Sequence, residues 1–429
     1  MITRFLLLAL FLPIATLAAD PPRLANLSGA RRADLNHDGS RIVLRMREGQ
    51  IRIWNVASGE LIPGDLGMES KGEYVVSPSA RRILVSFEAG GSRVFDFDTA
   101  EAVSPIHPAT IAGEWRPHAV FVPDETQVVI LDSEKNGRCT VIDLENGKTI
   151  AAFDLAPIND DYDPSIQFSS DGRRAFILDG EALLHRYDTS NWAEIGEPMA
   201  HSFDENHAYG FGFAISEDGR YAATFNWPGE NGPDGRLQLW DAETAKPLGE
   251  PLAEQNGITA GFFDQGQGQQ LLILPGRSRS RVLAVPSLEL RFNLPLHDVF
   301  DACEAVLSSD RQHLYTWGYD SSVRRVDAQS GKILGEVLRR GRIDRVLTRP
   351  DSSRIWVVYN DFGYYQPRDY NYVSVVDVAD MRPVETVRFS SAGGFVQFSA
   401  DGTRLLLFDE GRLRLFEASR MKEITLQAD

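Results

Sequence analysis

The chain has 429 residues, 43% of them hydrophobic, and a formal net charge of −17. That apolar content is too high for a disordered chain and sufficient for a large buried core. The acidic balance repels phosphate backbones and argues against nucleic acid as the main partner.

The chain opens with a short basic stretch, Met1 to Arg4. An apolar run follows from Phe5 to Ala18, interrupted only by Pro13 and Thr16. Thr16-Leu17-Ala18 or Leu17-Ala18-Ala19 supplies small residues for cleavage before Asp20-Pro21-Pro22. This pattern reads as a secretory signal peptide over residues 1–19. The run of 14 residues falls short of the roughly 20 that a spanning helix needs. No Cys follows the small residues, which speaks against a lipoprotein anchor. No later stretch approaches spanning length, so no membrane insertion of the mature chain is expected. Residues 20–429 are expected in the periplasm or outside the cell.

From there one pattern recurs. An apolar strand ends in a polar turn such as Ser-x-Asp-Gly, and a second apolar strand and a loop follow. A third strand ends in an apolar residue plus Asp or Asn, and a weaker fourth strand leads into the next unit. Clear copies occupy residues 35–62, 166–196, 213–250, 306–336 and 396–424. Weaker copies start near Val75, Val120, Phe262 and Val346, which makes nine units at a spacing of about 40–50 residues. Asp171-Gly172, Asp218-Gly219, Asp401-Gly402 and Asn146-Gly147 supply the positive φ of tight hairpins. Strands such as Leu405-Leu406-Leu407-Phe408 are apolar throughout and need cover on both faces. A lone four-stranded sheet cannot supply that cover, whereas stacked sheets in a closed array can. The expected fold is all-β: a single β-propeller domain over 20–429 with four-stranded antiparallel blades. Nine blades follow from the count, and eight or seven follow if weak units are loops. First and last units both look complete, so no strand need be borrowed to close the ring. Ala25-Asn26-Leu27 could still pair with the last blade.

The units resemble WD-repeat proteins over roughly residues 28–427. Leu239-Trp240-Asp241 is the full match to the name-giving dipeptide. Ile53-Trp54-Asn55, Val141-Ile142-Asp143, Arg186-Tyr187-Asp188, Arg325-Val326-Asp327 and Val376-Asp377 are relaxed versions. The family's Gly-His pair is missing, although His201 and His297 stand near its position without the Gly. The family's hydrogen-bond network is therefore expected to be degraded. The repeats also resemble the Asp-Gly strand repeats of periplasmic propellers associated with the Tol system. The resemblance implies an interaction scaffold.

In a four-stranded meander, the loops between strands two and three share a face with the connections between units. The long loops fall there: 227–235 and 361–372 inside units, 157–163 and 201–207 between them. That face is the expected binding surface. Phe362, Tyr364, Tyr365, Arg368, Tyr370 and Tyr372, with Trp227 of the other long loop, are the candidate binding residues. Tyr and Arg bury area while keeping a polar handle, which suits a protein interface. The same rings could instead pack on one another to order a long loop.

Asn159, Asp160, Asp161 and Asp163 have oxygens for calcium, but the spacing matches no EF-hand loop. His201, Asp204, Glu205 and His207 have ligand chemistry at a spacing that fits a capping or surface role better. No metal and no cofactor is expected. Cys139 and Cys303 fall on distant units, and two unpaired buried thiols are expected. There is no Gly-x-Ser-x-Gly elbow, HExxH motif or P-loop. Sialidase-like Asp boxes and the Trp-ended quinoprotein repeat are likewise unmatched. No catalytic residue is assigned. The expectation is a monomeric, non-catalytic scaffold with a protein partner. The alternative is a small-ligand- or glycan-binding propeller, or a propeller hydrolase or lactonase, using the central channel.

Overall fold

The computed structural model describes residues 30–424 except 67–70, 109–118, 133–136, 157–164, 202–207, 229–234, 255–257, 265–268, 276–279, 295–296, 298–303, 319, 340, 349–352, 361–369, 391–395 and 410–411. The regular structure among the described residues is β throughout. Nine antiparallel sheets follow one another along the chain. Numbered as blades, they span 30–55, 72–96, 119–154, 165–200, 208–254, 258–293, 304–338, 343–390 and 396–424. Each is a meander in sequence order; in blades 4 and 5 the outer strand is split into two short pieces that both pair with the third strand. In blades 1 and 2 the fourth strand shrinks to isolated bridges, Trp54 with Leu61 and Phe95 with Ala102.

Nine apolar clusters lie between the blades, and each draws its side chains from two adjacent sheets. Leu405, Leu406 and Leu407 show why the uninterrupted apolar strands exist. Leu405 and Leu407 pack toward blade 8, and Leu406 packs toward blade 1. First strands touch between blades 4 and 5, 5 and 6, 7 and 8, and 9 and 1, which places them innermost. The fourth strand of blade 3 is mostly exposed, as expected of the outer rim.

The ring closes between blade 9 and blade 1 with Trp54, Ile42 and Leu44 packed on Leu406, Phe408 and Leu415. Both blades are built from contiguous segments among the described residues. A polar pin reinforces the seam. Asp34 accepts from Gln397 Nε2 at 2.6 Å, from the Tyr74 hydroxyl at 2.6 Å and from Arg32 Nε at 3.0 Å. Three blades therefore share one carboxylate, and burial beside it pushes the Tyr74 hydroxyl well above the ordinary tyrosine range.

Other junctions use an Arg that donates to a carbonyl of the following blade. Arg41 reaches Asp98, Arg82 reaches Glu125 and Arg174 reaches Gly219. Arg325 and Arg354 likewise reach Val378 and Ser419.

The turns follow the sequence chemistry. Ser169, Ser216, Ser308 and Ser399 donate to the Asp two residues on, at 2.5–2.7 Å. Each serine oxygen also accepts an amide five residues on, at 2.9–3.1 Å. The left-handed position holds Gly172, Gly219 and Gly402, but Ala80 and Glu125 in weaker copies and Arg311 in the clear copy 306–336. At the third-to-fourth-strand turn, Asp143, Asp188, Asp241, Asp327 and Asp377 each accept the amide two residues on. The Asp of the repeat thus closes a turn whether or not Trp precedes it.

Gly39 and Gly172 test the seam. Their φ values are +70° and +69°. A Cβ on Gly39 would meet Arg404 Cγ of blade 9 at 2.3 Å, whereas one on Gly172 would meet Pro123 no closer than 3.5 Å. Both substitutions to Ala should cost about 1–2 kcal/mol for the backbone conformation. Gly39→Ala should lower the melting temperature further than Gly172→Ala, because the seam must open to admit it. Equal shifts in calorimetric melting would mean that blades 1 and 9 do not abut as described.

Candidate binding face

One face of the ring carries the first-to-second and third-to-fourth-strand turns, where Ser and Asp side chains take up turn amides. The opposite face carries the second-to-third-strand loops and the connections between blades. There the second and third strands of blade 8, Arg354–Asn360 and Tyr370–Asp377, flank the segment 361–369. Tyr359 and Tyr372 sit directly opposite each other in register. Their rings stack at 5.1 Å between centroids with 14° between planes. The Ser374 hydroxyl donates to the Tyr359 oxygen at 3.3 Å. Both rings join the buried apolar cluster between the two blades, with Trp317, Val323 and Val337 of blade 7 and Ile343 of blade 8.

Arg339 follows the fourth strand of blade 7, Ile333–Leu338. Its amide donates to Ser321 O at 2.7 Å, which fixes it beside the blade 7 loop. Its guanidinium lies 5.9 Å from the Tyr359 ring centroid. Burial lowers its pKa from the ordinary arginine value.

Behind this face, histidine struts hold connections between blades. Trp240 Nε1 donates to Thr224 Oγ1 at 2.9 Å, and that oxygen lies 2.8 Å from His201 Nδ1. In blade 7, His297 bridges Thr316 Oγ1 at 2.8 Å and Asp320 Oδ1 at 3.0 Å. The hydrogen-bond network is thus retained in two blades rather than lost. The imidazole makes these bonds, so the missing Gly does not remove them.

Solved structures share this architecture. A crystal structure of the eukaryotic initiation factor aligns with a TM-score of 0.60 at 14% identity, covering 93% of this chain and 96% of the other. The C-terminal WD40 domain of Sif2 aligns at 0.54 and 12% identity, covering 91% and 96%. The computationally designed Ika8 protein aligns at 0.50 and 13% identity, covering 83% and 99%. The chain is a WD-repeat-like β-propeller. No protein-family model matches it, and no curated protein matches its sequence.

Of the residues singled out from the sequence of this propeller, Phe362, Tyr364, Tyr365 and Arg368 lie outside the described residues. For Tyr370 and Trp227 the backbone is described, paired with Ser390 and Gly210. Tyr372 is half-buried and packs against the cluster between blades 7 and 8. The acidic segment 157–163 and residues 202–207 lie outside the described residues, as does Cys303. Cys139 is free and buried, and burial pushes its thiol up. Tyr359 and Arg339 were missed. Tyr359 reads as the last residue of an apolar strand, and Arg339 as one of a basic pair after another. Only their meeting across two blades marks them.

Desolvation pushes His201 down to about 4, well below its ordinary value near 6.5. Its folded form is therefore neutral, and the unfolded chain takes up a proton first as pH falls. The stability contributed is complete above about pH 6.5 and is lost as pH falls toward about 4, on the order of 3 kcal/mol. Melting temperature should decline across that window in the wild type and decline less in His201→Asn. Parallel profiles would refute the buried neutral histidine.

Proposed function

We propose that the propeller acts outside the cytoplasm as a non-catalytic protein-interaction scaffold, with its partner docking on the loop-bearing face at the junction of blades 7 and 8. The half-buried Tyr372, stacked on the buried Tyr359 with half-buried Arg339 alongside, carries this reading, since aromatic and Arg side chains anchor protein interfaces. The opposite face supports it by contrast, because the Ser hydroxyls and Asp carboxylates of four of its turns bond to one another. Polar groups at the innermost strands near the seam, Arg32, Asp34, Tyr74 and Gln397, are likewise bonded together, which favours the scaffold over chemistry in the channel. Export rests on the signal-like residues 1–19.

The test is affinity capture from native envelope extract with wild-type protein and with Tyr364, Tyr365 and Tyr370 replaced by Ser. Matched melting curves establish that the variant is folded. A specific partner should be retained by the wild type and reduced at least tenfold by the variant. The same partner captured equally by both would move the interface off this face. No partner with either would sink the scaffold reading.

A further inference from the structure

His185 of blade 4 has a carboxylate on each ring nitrogen. Nδ1 lies 2.7 Å from Glu194 Oε1, and Nε2 lies 3.1 Å from Asp179 Oδ2. Ionised carboxylates only accept, and a neutral imidazole has a single N–H to give. Both bonds together therefore require the imidazolium.

The two carboxylates differ in their freedom to move. Side-chain exposure is 3% for Asp179 and 41% for Glu194. Asp179 opens the second-to-third-strand turn, where its Oδ1 accepts the amides of Glu181 at 3.0 Å and Leu183 at 2.8 Å. Glu194 belongs to the outer strand, in the two-residue piece Ala193–Glu194 that pairs with Tyr187 and Asp188. The second piece of that strand, Met199–Ala200, pairs with Leu183 and Leu184. Ladders this short leave a side-chain tie to hold the edge. When the ring loses a proton, one carboxylate meets a nitrogen lone pair. Glu194 is the one that leaves, because it can turn into water and Asp179 cannot.

The other groups around the ring keep their charge while it titrates. Tyr187 stacks on it at 6.3 Å between centroids, and Phe153 of blade 3 stacks on Tyr187 at 4.4 Å. Burial pushes the Tyr187 hydroxyl and the Cys139 thiol up, so both stay neutral. Arg138 and Asp154, beside Phe153 on blade 3, bond to each other at 2.8 Å. Burial pulls the His185 imidazole down, but its hydrogen bonds to Asp179 and Glu194 and their charges reverse this, leaving its pKa above the ordinary 6.5. A raised folded value means that the tie is complete below about pH 6.5 and is lost as pH rises through that value. The sense is opposite to that of His201.

We propose that His185 is a proton-operated latch: as an imidazolium it ties the outer strand of blade 4, through Glu194, to the buried Asp179, and loss of its proton frees the Ala193–Glu194 piece from the blade. The latch goes beyond the scaffold reading and needs no partner for its test.

Nuclear magnetic resonance can follow the His185 Cε1–H signal against pH, assigned by its loss in His185→Asn. The expected midpoint lies above about 6.5 and falls in Glu194→Gln, which keeps an acceptor and removes the charge. Hydrogen exchange of the Ile195 amide, which donates to Arg186 O at 2.7 Å just past Glu194, reads the strand itself. After correction for intrinsic base catalysis, its opening should increase between about pH 6 and 9, by about tenfold for each unit of midpoint shift. That increase should shrink in Glu194→Gln and vanish in His185→Asn. The Ala418 amide of blade 9, which donates to Thr403 O at 2.8 Å, should show no such step. Melting curves establish folding for both variants. A wild-type midpoint at or below 6.5 overturns the latch. So does a raised midpoint with a flat Ile195 profile, and so does an undiminished increase in His185→Asn.

Discussion

Each blade has two apolar faces, and neither can be left in water. That requirement governs the propeller. Eight of the nine interblade interfaces join units adjacent in sequence, so the entropy of bringing them together is small. The ninth joins residues such as Asp34 and Gln397, 363 positions apart. Without it blades 1 and 9 would each expose a full face, including Trp54 and Leu406, both essentially inaccessible in the ring. The seam combines apolar packing with a carboxylate shared by three donors. A shared carboxylate has strict geometry, so it fixes the relative height of the joined blades more narrowly than apolar contact does.

Closure also divides labour between the two faces. Strands reverse at every turn, so the topology alone sorts loops into two sets. In one set, Ser hydroxyls and Asp carboxylates take up turn amides. The other set carries the insertions, and its supporting strands end in side chains that meet across blades. Tyr359 of blade 8 and Val337 of blade 7 meet in the buried cluster between them.

Much of this was legible in the sequence because the repeat writes its local physics many times. Turn chemistry, strand alternation and the number of units all depend on neighbours a few residues apart. What was illegible depends on contact between units. Ile53-Trp54-Asn55 looks like a better copy of the dipeptide than Arg325-Val326-Asp327 does. Yet Trp54 Nε1 has no hydrogen-bond partner, while blade 7 builds a strut from His297, Thr316 and Asp320. The strut needs a His and a Thr brought together by the preceding connection and the second strand, and a third-strand motif says nothing about either. Tyr372 was found from its aromatic neighbourhood in sequence. Its stacking partner Tyr359 lies on another strand behind four buried residues, Ile355 to Val358, that hide it in an apolar run.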